Sequence, residues 1–529
     1  MKLHEDLLKD RSVEFETDDE DDQAERDHDD NYESDSLGSS PGHSDNDIDT
    51  NPAPWPQSYR QSTDMFSLVT PSCSLKGIGE SFMSSIYRRS TVYDLEASQS
   101  RPFLSETTMH EDKALSPYLR ARISAPSKSR FSICEYPSSR PLCSFSQAVL
   151  NGLNCLCGVG LLAIPYAFKG GWSTLLLLLL FAIISCYTGI LLKECLQSSP
   201  GLQTYPDIGQ AAFGFTGRLI VAITLYIQLY ASCVGYIIAM SDNLSSMFPE
   251  TSVSFGVSFL NSRQVFAIIT TLVVLPTVWL RDLSLLSYLS AGGVITSVVL
   301  VLCLEWVGVI NQVGFHPSGT FLDLANFPIT LGLCSFCFSG HCVFPNIYSS
   351  MEKPRQFPLV MITCFAVCCF LYIGVGASGY LMFGNAVESQ YTLSMPKELV
   401  ASQVAIVTTV VSPLTKYALT FTPIVLSIEE LLPSKQRSYL VSMLIRALLV
   451  LSTLLVALSV PFFGLLMAFL GSFFSILVSN IFPCACYLSI LGHKLSKIQI
   501  GICVSVLLAG VACSCIGTNS AISRILNEL

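Results

Sequence analysis

Residues 151–168 read NGLNCLCGVGLLAIPYAF, and residues 331–348 read LGLCSFCFSGHCVFPNIY. Both are apolar stretches interrupted midway by small and polar residues. In each a proline follows a glycine by five positions, Pro165 after Gly160 and Pro345 after Gly340, with Tyr166 and Asn346 next in line. Glycine loosens a helix, and proline removes an amide hydrogen and clashes with the preceding turn. Unwound backbone is not tolerated against lipid, so it either lines a cavity or is buried in protein. One such span is ordinary packing. Two at matched positions point to the substrate site of a transporter.

The rest of the chain supports a membrane setting. Of 529 residues half are hydrophobic and 13% are charged, with a mean hydropathy of +0.51. Residues 1–140 hold 27 acidic and 15 basic residues; residues 141–529 hold only 13 and 15. That is about 7% charge, against roughly 25% in soluble domains. No water-facing surface of that size is covered so sparsely, which excludes a soluble globular fold for the C-terminal part. The fold class is an all-α polytopic membrane protein.

A helix needs about 20 apolar residues to cross ~30 Å of hydrocarbon. Eleven segments qualify, at 145–168, 172–192, 217–240, 264–280, 284–309, 327–349, 357–382, 401–428, 438–459, 463–490 and 499–518. The two interrupted stretches fall in the first and sixth. Those are equivalent positions if spans 1–5 and 6–10 form two inverted repeats, and an odd repeat length places the halves in opposite orientations. With a cytosolic N-terminus, nine basic residues lie in cytosolic loops: Lys193, Arg218, Arg281, Lys353, Arg355, Lys435, Arg437, Lys494 and Lys497. Four lie opposite: Lys169, Arg263, Lys397 and Arg524. The positive-inside rule therefore puts the N-terminus in the cytosol and the C-terminus on the far side. The sequon at Asn243 falls on that far side, too close to the third span to be a good glycosylation acceptor.

Residues 1–140 form a separate region, with a dense acidic run at 18–30 and Ser/Pro/Gly-rich sequence to the first span. Like charges and little apolar surface predict disorder. The chain lacks a signal-peptide pattern at its start, so the first span directs insertion. The many serines are candidate sites for kinases. Residues 141–525 form the transporter domain. The 20 cysteines lie mostly inside apolar runs, with neither a disulfide framework nor zinc-ligand spacing, and read as packing residues. No nucleotide-binding loop points to ATP coupling, no cofactor is implied, and no basic stripe points to nucleic acid.

Exposed amides at a broken helix favour a carboxylate, and freed carbonyls favour an ammonium. A zwitterion satisfies both, so an α-amino acid fits, and the scarcity of charge at membrane depth favours a neutral side chain. The candidate cradle is Gly158, Val159 and Gly160 with Asn154 beside it, and Ser335, Phe338, Ser339 and Gly340 on the sixth span. Three residues are candidates for ion coupling. Lys416 lies mid-span within PLTKYAL, where its ammonium takes a coupling cation's place, or releases and regains a proton, or is a structural lysine on backbone carbonyls. His341, beside Gly340, either titrates or bonds a freed carbonyl of the broken helix. Glu305 sits near a span end and reads chiefly as interfacial. Arg446 is expected to snorkel, and Glu429 and Glu430 to be a solvated cap.

The runs GVGLLAIPYAFKGGW (158–172), SGHCVFPNIYSSM (339–351) and SPLTKYALTFTPIVLSIEELLP (412–433) resemble the amino acid/auxin permease family. Within it the chain is most similar to the vacuolar amino acid transporters, relatives of the vesicular inhibitory amino acid transporter. The resemblance covers residues 141–525. It implies a ten-helix core like that of the sodium-coupled leucine transporter, one extra C-terminal helix, and proton-linked movement of neutral amino acids across the vacuolar membrane. The first, third and sixth spans as drawn carry no mid-span carboxylate, a departure from any mechanism that uses one as proton carrier. Auxin carriers are similar too, which leaves an auxin-like carboxylate as an alternative cargo. Sodium is an alternative driving ion, against which Lys416 argues. A rival reading is an amino acid sensor, a transporter-like receptor that signals through the tail. A membrane enzyme is disfavoured because no nucleophile–base or His–Asp pair stands out.

Overall fold

The computed structural model describes residues 55–56, 142–255, 258–279, 283–311, 313–316, 319–433 and 438–529. Apart from Trp55 and Pro56, the tail expected at 1–140 lies outside the described residues. The described chain is helical except for a short hairpin, β1 (Val253–Phe255) paired antiparallel with β2 (Ser258–Leu260), Ser254 opposite Phe259.

The helices in order are α1 (Phe145–Leu156), α2 (Gly160–Ala167), α3 (Thr174–Gln197), α4 (Tyr205–Met247), α5 (Ser262–Trp279), α6 (Leu283–Val309), α7 (Phe327–Cys337) and α8 (Phe344–Ser350). They continue with α9 (Phe357–Phe383), α10 (Tyr391–Ser394), α11 (Val400–Leu431), α12 (Tyr439–Ser459), α13 (Phe463–Leu470), α14 (Phe482–Leu491) and α15 (Lys497–Glu528). Among the described residues nine helices are long and apolar enough to cross a membrane, and α1 with α2, bent by 55°, makes a tenth candidate. α7 is a shorter apolar helix that resumes as α8 after a six-residue break.

Local chemistry sets the helix ends. Ser144 and Gln147 form a capping box that starts α1, Thr204 and Asp207 one that starts α4, and Ser496 and Gln499 one that starts α15. The first interruption comes ahead of Gly160, at residues 157–159, and Pro165 lies inside α2. Its ring packs where Gly379 of α9 has no side chain; a Cβ there would come within 2.7 Å of the ring. The second interruption spans 338–343, with Pro345 in the first turn of α8, where its missing amide hydrogen is not needed.

Three findings depart from the sequence reading. α4 extends well beyond the expected 217–240, with a kink at Phe213 and Gly214, whose φ of +68° suits glycine. The N-terminal arm folds back so that Gly209 and Gly217 meet backbone to backbone, a Cβ on Gly217 falling 2.3 Å from the Gly209 carbonyl oxygen. Arg218 is consequently not a loop cation: it is 7% exposed and ion-paired to Asp207 of the arm. Arg446 does not snorkel and Glu429 is not a solvated cap. They pair at 3.1 Å, and Arg446 also donates to the Val278 carbonyl at 2.8 Å. Finally, α13 and α14 are joined by wide π-type turns at Gly471–Ser475 and Leu477–Ile481, a feature frequent at functional sites. Gly332 and Gly471 let α7 lie directly on this helix, since a Cβ on either would strike the opposing backbone.

α15 packs through Gly510, Ser514, Gly517 and Ala521, a small-residue face that permits close approach in lipid. In the loop ahead of α7, Asp323 accepts hydrogen bonds from the Ala325 and Asn326 amides and the Asn326 side chain. Those bonds, the Asn326 side chain first, hold its carboxyl below the ordinary carboxylate range.

Candidate functional site

The two interruptions meet. Cys337 beside the second donates its thiol to the Gly160 carbonyl at 3.7 Å, and Cys155 of the first donates to the Gly340 carbonyl at 3.9 Å. Tyr372 of α9 donates to the Leu156 carbonyl at 2.5 Å, satisfying one of the acceptors that the broken ladder frees. Gly160 has no room for a side chain here: a Cβ would lie 3.1 Å from the Cys337 sulfur.

Beside this contact opens a cavity of about 120 Å³, room for several waters or a small solute. The first break lines it with Asn154, Gly158, Val159 and Gly160, and the second with Phe336, Ser339, Cys342 and Val343. α4 adds Gln228, Ser232 and Tyr236, α11 adds Lys416, Leu419 and Thr420, and α13 adds Met467. The lining holds one ammonium and no carboxylate.

Lys416 is 9% exposed, and its Nζ donates to the Cys157 carbonyl at 3.0 Å, at the point where α1 stops. Ser297 of α6 donates to the same oxygen at 3.3 Å. Asn154 and Lys416 pass over Gly293 of α6, where a Cβ would fall 2.1 Å from Asn154 Oδ1 and 2.8 Å from Lys416 Cε. Gln228 spans the cavity wall, its Nε2 donating to Ser339 at 3.0 Å and to Ser475 of the π-turn at 3.3 Å. One amide thus ties α4 to the second break and to the widened helix.

Of the sequence-named cradle, Asn154, Gly158, Val159 and Ser339 line the cavity together with Gly160. Ser335, Phe338 and Gly340 are not part of its lining. The Phe338 ring stands edge-on to Tyr372 at 5.5 Å, and Gly340 is closed in by Leu156 and Phe344. His341 is fully buried and turned toward α3, with Nε2 3.0 Å from Thr188 Oγ1 and 3.1 Å from the Ser185 carbonyl. The carbonyl it bonds belongs to α3 and not to the broken helix. Glu305 is half-buried on α6 and outside the lining.

Gln228, Ser232, Tyr236, Thr420 and Met467 are not among the residues the sequence singles out, which flank the two glycine–proline pairs or carry mid-span charge; a glutamine within an apolar run was the available signal. A second omission is Asp242, the one carboxylate among the described residues that is buried. It lies beyond the expected end of the third span. Gln390 donates to its Oδ2 at 3.0 Å, and Arg263 Nε lies 2.8 Å from its Oδ1. Asn243 donates to Gln390 Oε1 at 2.6 Å and accepts from Thr392 at 2.8 Å. The sequon asparagine is therefore sealed inside the fold.

Residues 143–523 match the family described as transmembrane amino acid transporter protein. Amino acid transporter AVT1D of Arabidopsis thaliana is 54% identical over 500 residues, covering 92% of this chain and 90% of that protein. Amino acid transporter AVT1C of the same plant is 48% identical, with 98% of each covered. The vesicular inhibitory amino acid transporter of Xenopus tropicalis is 27% identical, over 73% of this chain and 78% of its own length. The chain belongs to the transmembrane amino acid transporter family: it is a multi-pass membrane protein and a transporter, not an enzyme.

Proposed function

We propose that this member of the transmembrane amino acid transporter family moves neutral amino acids across the vacuolar membrane, coupled to protons, by alternating access around the cavity between its two interrupted helices. Counting α1 with α2 and α7 with α8 as one span each, the chain crosses eleven times, with a ten-helix inverted-repeat core, a cytosolic N-terminus and a luminal C-terminus. The observation that carries this reading is Lys416 on the Cys157 carbonyl at the first break, in a cavity whose lining has no carboxylate. A fixed ammonium there stands where a coupling metal cation would otherwise neutralise freed carbonyls, and it repels cationic side chains. The amides of the first break and the Lys416 ammonium suit a substrate carboxylate, and the carbonyls of the second break suit its ammonium.

The broken helices supply a site with polar backbone already exposed, so binding leaves the surrounding bundle intact. Gln228 joins α4, the second break and the π-turn, so a solute that displaces Ser339 is felt on three elements. The test is uptake of a panel of radiolabelled amino acids into proteoliposomes, with and without an imposed pH gradient. Neutral amino acids should accumulate only with the gradient. If no amino acid moves under any gradient, the proposal fails.

A further inference from the structure

A glycine of α4 and a methionine of α13 meet at the cavity wall. Met467 belongs to the lining, and Gly235 precedes Tyr236, another lining residue. Both are buried. A Cβ on Gly235 would strike Met467 Cε, whereas the Met467 sulfur would stand at 3.7 Å, an ordinary contact. The terminal methyl of Met467 therefore occupies the notch that glycine leaves in α4.

The backbone that carries Met467 has little freedom to adjust. α13 lies on α7 so closely that a Cβ on Gly332 would come within 2.9 Å of the Ala468 carbonyl carbon. Any change in the space around Met467 thus falls on its side chain, which is unbranched with three rotatable bonds. That side chain is only 1% exposed, so the open space beside it is the cavity that it lines.

In the transport reading above, a bound amino acid sets its carboxylate on the first break and Lys416 and its ammonium on the second break. Its side chain is left facing the other walls, namely Leu229, Ser232 and Tyr236 of α4, Leu419 and Thr420 of α11, and Met467. The cavity measures about 120 Å³. A benzene ring alone takes a protein cavity of about 150 Å³. A small side chain therefore fits the space as it stands, and a ring has no room to spare. We propose that Met467 is the wall that limits the size of the substrate side chain, and that Gly235 determines how far that wall stands back. The inference rests on the transport reading and adds to it a preference among neutral amino acids.

The test compares alanine with phenylalanine in wild type and three full-chain variants reconstituted in proteoliposomes. The readout is the ratio of kcat/KM for phenylalanine to that for alanine. Met467→Ala removes the wall and should raise the ratio about tenfold, the lower end of what a methylene or two is worth in an apolar pocket. Gly235→Ala closes the notch from outside the lining, drives the methyl toward the substrate and should lower the ratio about tenfold. The double variant should behave as Met467→Ala alone, because the added methyl then has nothing to push. A purely structural role would slow both substrates alike and leave the ratio where it was. Ratios that stay put, or that move the same way in both single variants, overturn the proposal. Should Met467→Ala not fold, Gly235→Ala decides, since its methyl meets only the end of a flexible chain. A wild-type protein that moves no amino acid sinks the transport reading alone. The size limit then stands or falls on the rise in melting temperature that each amino acid gives the purified proteins: the same order of variants supports it, and any other order, or no rise in wild type, overturns it.

Discussion

Replacing Lys416 by methionine separates the two roles its position allows. The side chain keeps its approximate volume and loses the charge, together with the 3.0 Å bond to the Cys157 carbonyl. A hydrogen bond from a charged donor is worth about 1.5–3 kcal/mol. The carbonyl is not orphaned, because Ser297 also donates to it. Against that loss stands the cost of burying an ammonium that no carboxylate among the described residues pairs with; replacing buried charge by apolar volume is often neutral or stabilising by about 1–4 kcal/mol. The two terms oppose each other and are of similar size, so the variant should fold and its melting temperature should stay within about 3 °C of wild type. Transport should change far more. With no ammonium at the break, uptake driven by a pH gradient should fall to the level seen without one, while exchange of labelled for unlabelled amino acid at equal pH persists. The assay is proteoliposome uptake of a transported neutral amino acid, with and without the gradient, paired with counterflow. Full gradient-driven accumulation in Lys416→Met would refute the reasoning, and a collapse in melting temperature would show that the lysine holds the fold.

Three further outcomes follow from close contacts. Gly293→Ala places a methyl 2.1 Å from Asn154 Oδ1 and 2.8 Å from Lys416 Cε. Overpacking costs about 1–3 kcal/mol, and because both neighbours line the cavity the change should raise KM; an unaltered KM in an uptake titration would contradict the geometry. Gln228→Leu removes the tie between Ser339 and Ser475 and should weaken substrate affinity by about 1 kcal/mol, roughly fivefold, as read by the concentration dependence of initial rates. Gly171→Ala meets both a φ of +100° and the Phe321 carbonyl oxygen at 2.6 Å. It should cost about 1–3 kcal/mol or more, and a thermal unfolding curve that superimposes on wild type would count against the backbone argument.

The legible parts of the site were those where a residue acts on its own backbone. Gly158, Val159 and Gly160 were expected at a break and lie at one, although the helix parts ahead of Gly160 and keeps Pro165 inside α2, where Gly379 makes room for the ring. His341 shows the limit. Its place next to Gly340 is sequence, but whether the ring faces the cavity or α3 depends on the path of the loop, and Thr188 and Ser185 take it. Arg218 and Arg446 were read as cations reaching for water because a lone sequence does not show that Asp207 and Glu429 lie beside them.

Composition and local chemistry alone give the membrane setting of this protein and the interruptions of its first and sixth spans. Sparse charge, apolar runs of bilayer length, and the glycine and proline pairs act locally and need no partner to be read. Tertiary structure alone decided which side chains share the cavity, where Asp242 is sealed and what Trp55 touches. Those outcomes turn on the rotation and depth of each helix, which are set by packing between elements distant in the chain: Gly293 against Asn154, Gly332 against Ala468, and Arg218 against the Trp55 carbonyl.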